Sequence, residues 1–386
     1  MKDSFTGSRP KIIWKNIIFF IFTICVTLIG APLYLLHHSI SPVILWLTAF
    51  YMIATGMSIT VGYHRLFAHS TYKANPLIEF LLLFFGAAAF EQSAYKWASQ
   101  HRDHHKHVDT DQDPYSIKKG FFYAHIGWLI FWEHALNHDN VLDLQKNKLL
   151  MNQNKYYVFW AIGSGVILPT LIGAFFGQGL AAFIFAVCAR LVFVHHSTFC
   201  INSVCHMFGR ATYDIYATAK DHWFIALLTN GEGYHNFHHR FPGDYRNGVR
   251  WYQWDPSKWL IAFLTSMGLA SDLKKVSSFR IMEAKIRADH QRVKDWIAQT
   301  GETTRWERLC SEAESHYSIL HERLKDWEEK SREYRKLVYG RIQERSHAIK
   351  AFTEKEMQIA QQKYHQALEN WQLLIRSNAR LAAFVF

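Results

Sequence analysis

Residues 12–36 read IIWKNIIFFIFTICVTLIGAPLYLL, and residues 40–61 read ISPVILWLTAFYMIATGMSITV. A helix needs roughly 20 apolar residues to cross the hydrocarbon core of a bilayer, and both runs meet that length. Only a short link around His37–Ser41 separates them, so together they read as a helical hairpin. The pattern returns at residues 156–176 and 179–199, joined through Gly177 and Gln178. The expected fold is an all-α integral membrane protein: four transmembrane helices in two hairpins, interfacial helices, and a cytosolic helical cap. Lys2, Arg9, Lys11 and Lys15 precede the first run, and neither hairpin tip holds Lys or Arg. The positive-inside rule therefore puts both termini, and everything outside the tips, in the cytoplasm of a multi-pass protein. A bacterial inner membrane is the expected location.

Working outward, the stretch Pro76–Phe90 is apolar but short for a span, with Glu79 inside it and Glu91 at its end. It is expected to lie in the interface. Arg190, inside the fourth run, is expected to be a paired structural charge. The first run is too long for a signal-peptide core and has no small-residue cleavage site, so it reads as a retained helix. The five cysteines, Cys25, Cys188, Cys200, Cys205 and Cys310, form no C-x-x-C pair, which fits a reducing compartment. The net charge of +11 suits an anionic membrane face, and no zinc-finger, recognition-helix or RNA-platform pattern points to nucleic acid. Two domains are expected: a membrane-embedded part with its cytosolic cap over 1–270, and a helical cytosolic extension over 271–386. In the extension, Leu320, Leu324, Trp327, Tyr334 and Val338 follow a heptad-like stripe.

Nine of the 23 histidines gather near the ends of the apolar runs. They are His64 and His69 in H-R-L-F-A-H, His101, His104 and His105 in H-R-D-H-H, His235, His238 and His239 in H-N-F-H-H, and His206. Each triplet stands at i, i+3, i+4 and shares one helix face. Asn202 and His206 are also four apart. His64 and His69 are five apart, about 140° round an ideal helix, so their convergence requires an end or a kink between them. One metal takes three or four protein ligands, so nine imidazoles suit two metals, and a nitrogen-only set with open positions favours iron over zinc.

These boxes, at this spacing, resemble the membrane-bound acyl desaturases of the stearoyl-CoA desaturase type. The third lies in G-E-G-Y-H-N-F-H-H-R-F-P, and D-P-Y-S-I-K-K-G-F-F-Y-A-H-I-G-W and I-N-S-V-C-H-M-F-G between the boxes are similar too. The resemblance implies two Fe2+ ions held by the nine histidines, with Asn202 reaching one through water. It also implies a kinked tunnel, dioxygen and two electrons as co-reactants, and a cis double bond near the ninth carbon of an acyl chain. Asp113, Trp128 and Glu232 match positions suited to orient imidazoles. Gly231 and Gly233 are expected to allow the tight backbone entering the third box.

The departures fall where the acyl carrier is gripped. Ser99 and Gln100 replace an Arg-Asp pair, and Trp132 and Glu133 replace a basic pair. Each lost cationic contact to polyanionic CoA is worth about 1 kcal/mol or more. This head-group region leaves acyl-CoA, a membrane phospholipid and, to a smaller extent, an acyl carrier protein as carriers. No H-P-G-G haem motif is present, so an external ferredoxin, rubredoxin or cytochrome b5 is the expected electron donor, steered by the basic surface. Two other readings use the same histidines: a di-iron lipid hydroxylase or ketolase, and a non-enzymatic membrane metal-binding or transport protein.

Overall fold

The computed structural model describes residues 12–131, 136–300, 303–339 and 347–377, with Leu381 and Val385. Among these residues, four helices are long and apolar enough to cross a membrane: Trp14–His37, Pro42–Ala68, Tyr157–Phe175 and Gly179–Met207. Their outward side chains, among them Phe22, Trp46, Phe159, Phe175 and Leu180, are exposed. An apolar belt of this extent in water would be an aggregation surface; in a bilayer it faces lipid. At the hairpin tips, the Ser41 N–H donates to Gln178 Oε1 at 3.0 Å and Gln178 Nε2 donates to the Ser39 carbonyl at 3.0 Å. Both tips therefore lie at one end of the bundle. The second and fourth helices run past their apolar stretches, so His64, Asn202 and His206 ride on the spans themselves rather than on separate segments.

The helix Pro76–Ala87 has twelve residues, about 18 Å of rise against a core of about 30 Å. Asn75 caps its first turn by accepting from the Ile78 N–H at 2.9 Å. It buries Leu82 and Leu83, exposes Leu77, Phe80 and Leu81, and satisfies Glu79 through Asn147 Nδ2 at 2.7 Å. Arg190 is fully buried and donates to the carbonyls of Ala186, Ala88 and Gly165, so its partners are backbone oxygens freed by helix ends and a widened turn. The cap is knitted to the extended second span by Tyr63, Leu83, Tyr95, Ala98, Leu150 and Ile261. One short antiparallel pair, Lys73–Ala74 with Ala270–Ser271, ties the end of this region back to its middle.

The chain divides into two compact units, residues 1–211 with 217–275, and residues 212–216 with 276–386. Among its described residues the second holds three helices, Ser278–Thr300, Thr303–Tyr339 and His347–Arg376, around Ile286, Val293, Leu320, Leu324, Tyr364 and Trp371. The heptad-like stripe holds at Leu320, Leu324 and Trp327 but fades at Val338, which is exposed.

Candidate metal centre

Local backbone chemistry explains how His64 and His69 meet. The second span widens over Ser58–Ala68 into π-helical turns, whose hydrogen bonds run from i+5 to i. The turn closes with the His69 N–H donating to the His64 carbonyl at 3.0 Å. Residues five apart then lie one above the other, and the two rings sit 4.8 Å apart. The helix ends at Ala68, with His69 as its C-cap, so the expected end between the two histidines is present, and the widened turn just before it brings their rings together. The second triplet rides on Ala94–His107, capped by Ser93. The third rides on the six-residue helix His235–Arg240, whose first amides donate to Asp221 Oδ1 at 2.9 and 3.1 Å. Gly231 enters it with φ +104°, and a Cβ on Gly233 would lie 2.2 Å from the Ala226 nitrogen.

The nine imidazoles form two groups: His64, His69, His101, His105 and His238, and His104, His206, His235 and His239. The triplets are split between them. His101 and His105 serve one group while His104 crosses to the other, and His235 and His239 serve the second while His238 crosses to the first. On a helix the i, i+4 residues are about 40° apart and the i+3 residue lies to one side, so each short helix can feed two centres.

The Nε2 atoms converge. His64–His238 is 3.0 Å, His69–His101 2.9 Å and His105–His238 2.8 Å in the first group. In the second, His206–His235 and His235–His239 are 3.0 Å and His104–His239 is 3.4 Å. Behind the rings, His64 Nδ1 lies 2.8 Å from Glu232 and His104 Nδ1 2.8 Å from Asp113. His206 Nδ1 meets the Thr218 hydroxyl at 2.7 Å. Burial pushes both carboxyls up, but His64 and Arg65 outweigh it at Glu232, and the His104 contact outweighs it at Asp113, so both sit below the usual carboxylate range. An ionised carboxylate keeps Nδ1 protonated and leaves Nε2 as a bare lone pair pointing inward. Burial first, and then mutual repulsion, push His69, His101, His105, His235, His238 and His239 far below the ordinary imidazole value. Lone pairs aimed at one another across 3 Å repel unless a cation lies between them. The nitrogen donor set would fit a metal ion in each group.

Glu232 belongs to a larger buried network. Arg65 donates to Glu232 Oε1 at 2.9 Å, to Asp255 at 3.2 Å and to the Tyr245 carbonyl at 2.8 Å, and Asn247 donates to Glu232 at 2.6 Å. Arg65 and Asp255 escape a reading by motif because their partners are remote in sequence, whereas Tyr115 (3.3 Å from His101) and Thr218 meet their histidines across intervening loops. Trp97, which stacks on His101 at 4.8 Å, escapes it for another reason: an aromatic four residues away on the same helix reads as ordinary packing. Trp128 packs on Tyr115 at 5.0 Å, and its indole nitrogen has no hydrogen-bond partner among the described residues.

A cavity of about 850 Å³ reaches both groups, exposing His64, His101, His104 and His235 on its wall beside Asn202 and Trp128. Gln100 lines it and accepts from Gln92 at 3.3 Å. Ser99 does not face this space. It is fully buried and donates to the Asn137 carbonyl at 2.8 Å, because it shares the inward face of its helix with Tyr95 and Ala98. Trp132 and Glu133 lie outside the described residues.

The fatty acid desaturase family model matches residues 40–262. A probable acyl-CoA desaturase of Schizosaccharomyces pombe is 40% identical over 64% of this chain, which spans about half (53%) of that relative. A stearoyl-CoA desaturase of Sus scrofa is 34% identical, covering 72% of this chain and 79% of its own. An sn-1 stearoyl-lipid 9-desaturase of Anabaena variabilis is 34% identical, covering 70% of this chain and 96% of its own.

Proposed function

The chain belongs to the fatty acid desaturase family, and from that premise we propose that it is an oxygen-dependent acyl desaturase with a di-iron centre. The observation that carries the reading is the convergence of two histidine groups on the wall of one cavity. When bound, the irons supply the redox chemistry that removes two hydrogens from adjacent methylenes at the expense of dioxygen and two electrons. The nine histidines are the proposed ligands, with Asn202 acting through water, and the electrons come from a ferredoxin, rubredoxin or cytochrome b5.

The protein's own part is positional. Glu232 and Asp113 hold imidazoles in one tautomer, Arg65 keeps Glu232 ionised, and the cavity wall keeps an acyl chain in register while excluding water. The name of the Anabaena relative supports a Δ9 position, and the relatives' names leave two carriers, CoA and membrane lipid. The active face is proposed to be cytoplasmic, opposite the hairpin tips.

Expression in a host lacking its own desaturase, followed by lipid profiling, tests the reading. A cis-monounsaturated product is expected; a hydroxylated product would support the hydroxylase reading, and metal flux without lipid turnover the transport reading. Offering the purified enzyme acyl-CoA and phospholipid side by side then separates the carriers.

A further inference from the structure

The cavity wall carries one acidic group that holds no imidazole. Glu91 lines the cavity, partly buried, where its Oε1 accepts from the Thr198 hydroxyl at 3.0 Å and its carboxyl also meets the Trp97 indole. The backbone presenting it is strained on both sides: Phe90 has φ +58° and Gln92 φ +73°, left-handed values that bulky residues avoid. Such a turn persists only where its surroundings over-determine it. Here Arg190 bonds the Ala88 carbonyl, His195 Nε2 donates to the Ala89 carbonyl at 2.7 Å, and the Phe90 ring stacks on Phe19 at 5.6 Å. Two polar residues of the fourth span are thus committed to aiming one carboxyl into the cavity.

We propose that Glu91 gates occupancy of the cavity: its neutral carboxyl is part of the wall against which an acyl chain packs, and its carboxylate excludes the chain. Burial pushes this carboxyl up to about 7, against the weaker opposing pull of its bonds to Thr198 and Trp97. The groups around it do not compete for the role. Tyr63 and Tyr157 stand close enough to feel its charge, and Lys15 and Lys96 line the cavity. His195 is held by the Ala89 carbonyl, and His64, His101, His104, His235 and Glu232 lie at the metal groups. The inference takes its occupant, an acyl chain, from the desaturase reading.

The test uses the full chain in phosphatidylcholine nanodiscs and the methyl ester of cis-parinaric acid, a fluorescent chain without a titratable group. Its affinity for the wild type should fall roughly 20-fold between pH 6.5 and 8.5, the ratio set by a group titrating at about 7. Acyl-substrate KM should rise in parallel while kcat changes little. In Glu91→Gln, which keeps the polar contacts without the charge, affinity and KM should be flat over this range. Wild-type ester binding that is equal at both pH values overturns the gate, as does a Glu91→Gln KM that climbs like the wild type. The wild-type measurement decides the matter even where the variant fails to fold. Because ester binding needs no turnover, pH-dependent binding without unsaturated product would leave the gate standing and remove the desaturase reading.

Discussion

The two histidine groups are built to different designs. The first has five imidazoles and, behind His64, a buried ionic network of Glu232, Arg65, Asp255 and Asn247. The second has four, with one carboxylate at His104 and a neutral hydroxyl at His206. The first group has an imidazole to spare and is held by charge; the second has none to spare, and Asn202 sits one helical turn from His206 on the same span, beside the cavity. A site with fewer protein nitrogens has more positions for water or dioxygen, so the second group is the more sensitive to losing a ligand and the first to losing its support.

The largest effect should separate the groups by ligand count. His206→Ala leaves three imidazoles, and iron content measured by plasma emission should fall from two per chain towards one, with turnover reduced roughly 10³-fold or more. His69→Ala leaves four in the other group and should retain both metals with a smaller loss of turnover. Equal metal loss in the two variants would break the asymmetry, and full activity in either would remove the metal assignment. Next in size is Glu232→Gln. It should weaken metal affinity roughly 10- to 100-fold, and it leaves Arg65 short of one buried counter-charge, a defect of about 3 kcal/mol visible as a lowered unfolding temperature.

Much of this was legible in the residues, and the illegible parts have physical causes. Four spans follow from run length, but the ends of the second and fourth do not, because a helix continues through polar residues once a cap buries them, as at His64 and His206. The histidine boxes point to a site that could hold metal. The division of each triplet between two groups is a tertiary fact, set by where the helices Ala94–His107 and His235–Arg240 lie. Arg65 looks like filler inside H-R-L-F-A-H because Asp255 stands 190 residues away. Ser99 reads as a head-group position by motif alignment, yet the inward face of its helix buries it.

The smaller effects probe the supports of the second group. Asp113→Asn removes a carboxylate that also accepts from the Asp109 and Tyr115 amides at 3.0 and 3.2 Å. Those two amides use different carboxylate oxygens, so an amide side chain, with one accepting oxygen, keeps only one of the bonds and no longer fixes the His104 tautomer by charge. Iron affinity should fall roughly 10-fold or more, and the lost backbone bond, worth about 1 kcal/mol, should lower the unfolding temperature less than Glu232→Gln does.

Thr218→Val should be the mildest. Its 2.7 Å contact to His206 is a neutral hydrogen bond, worth about 1 kcal/mol, so iron should dissociate from one site roughly 5-fold faster under chelator challenge while both sites still fill at saturation. The first group, which Thr218 does not touch, should release its iron at the wild-type rate. A chelation trace with one accelerated phase and one unchanged phase is therefore expected. Two accelerated phases would mean that the groups act as a single cluster and that the contrast in their supports has no separate consequence for each metal.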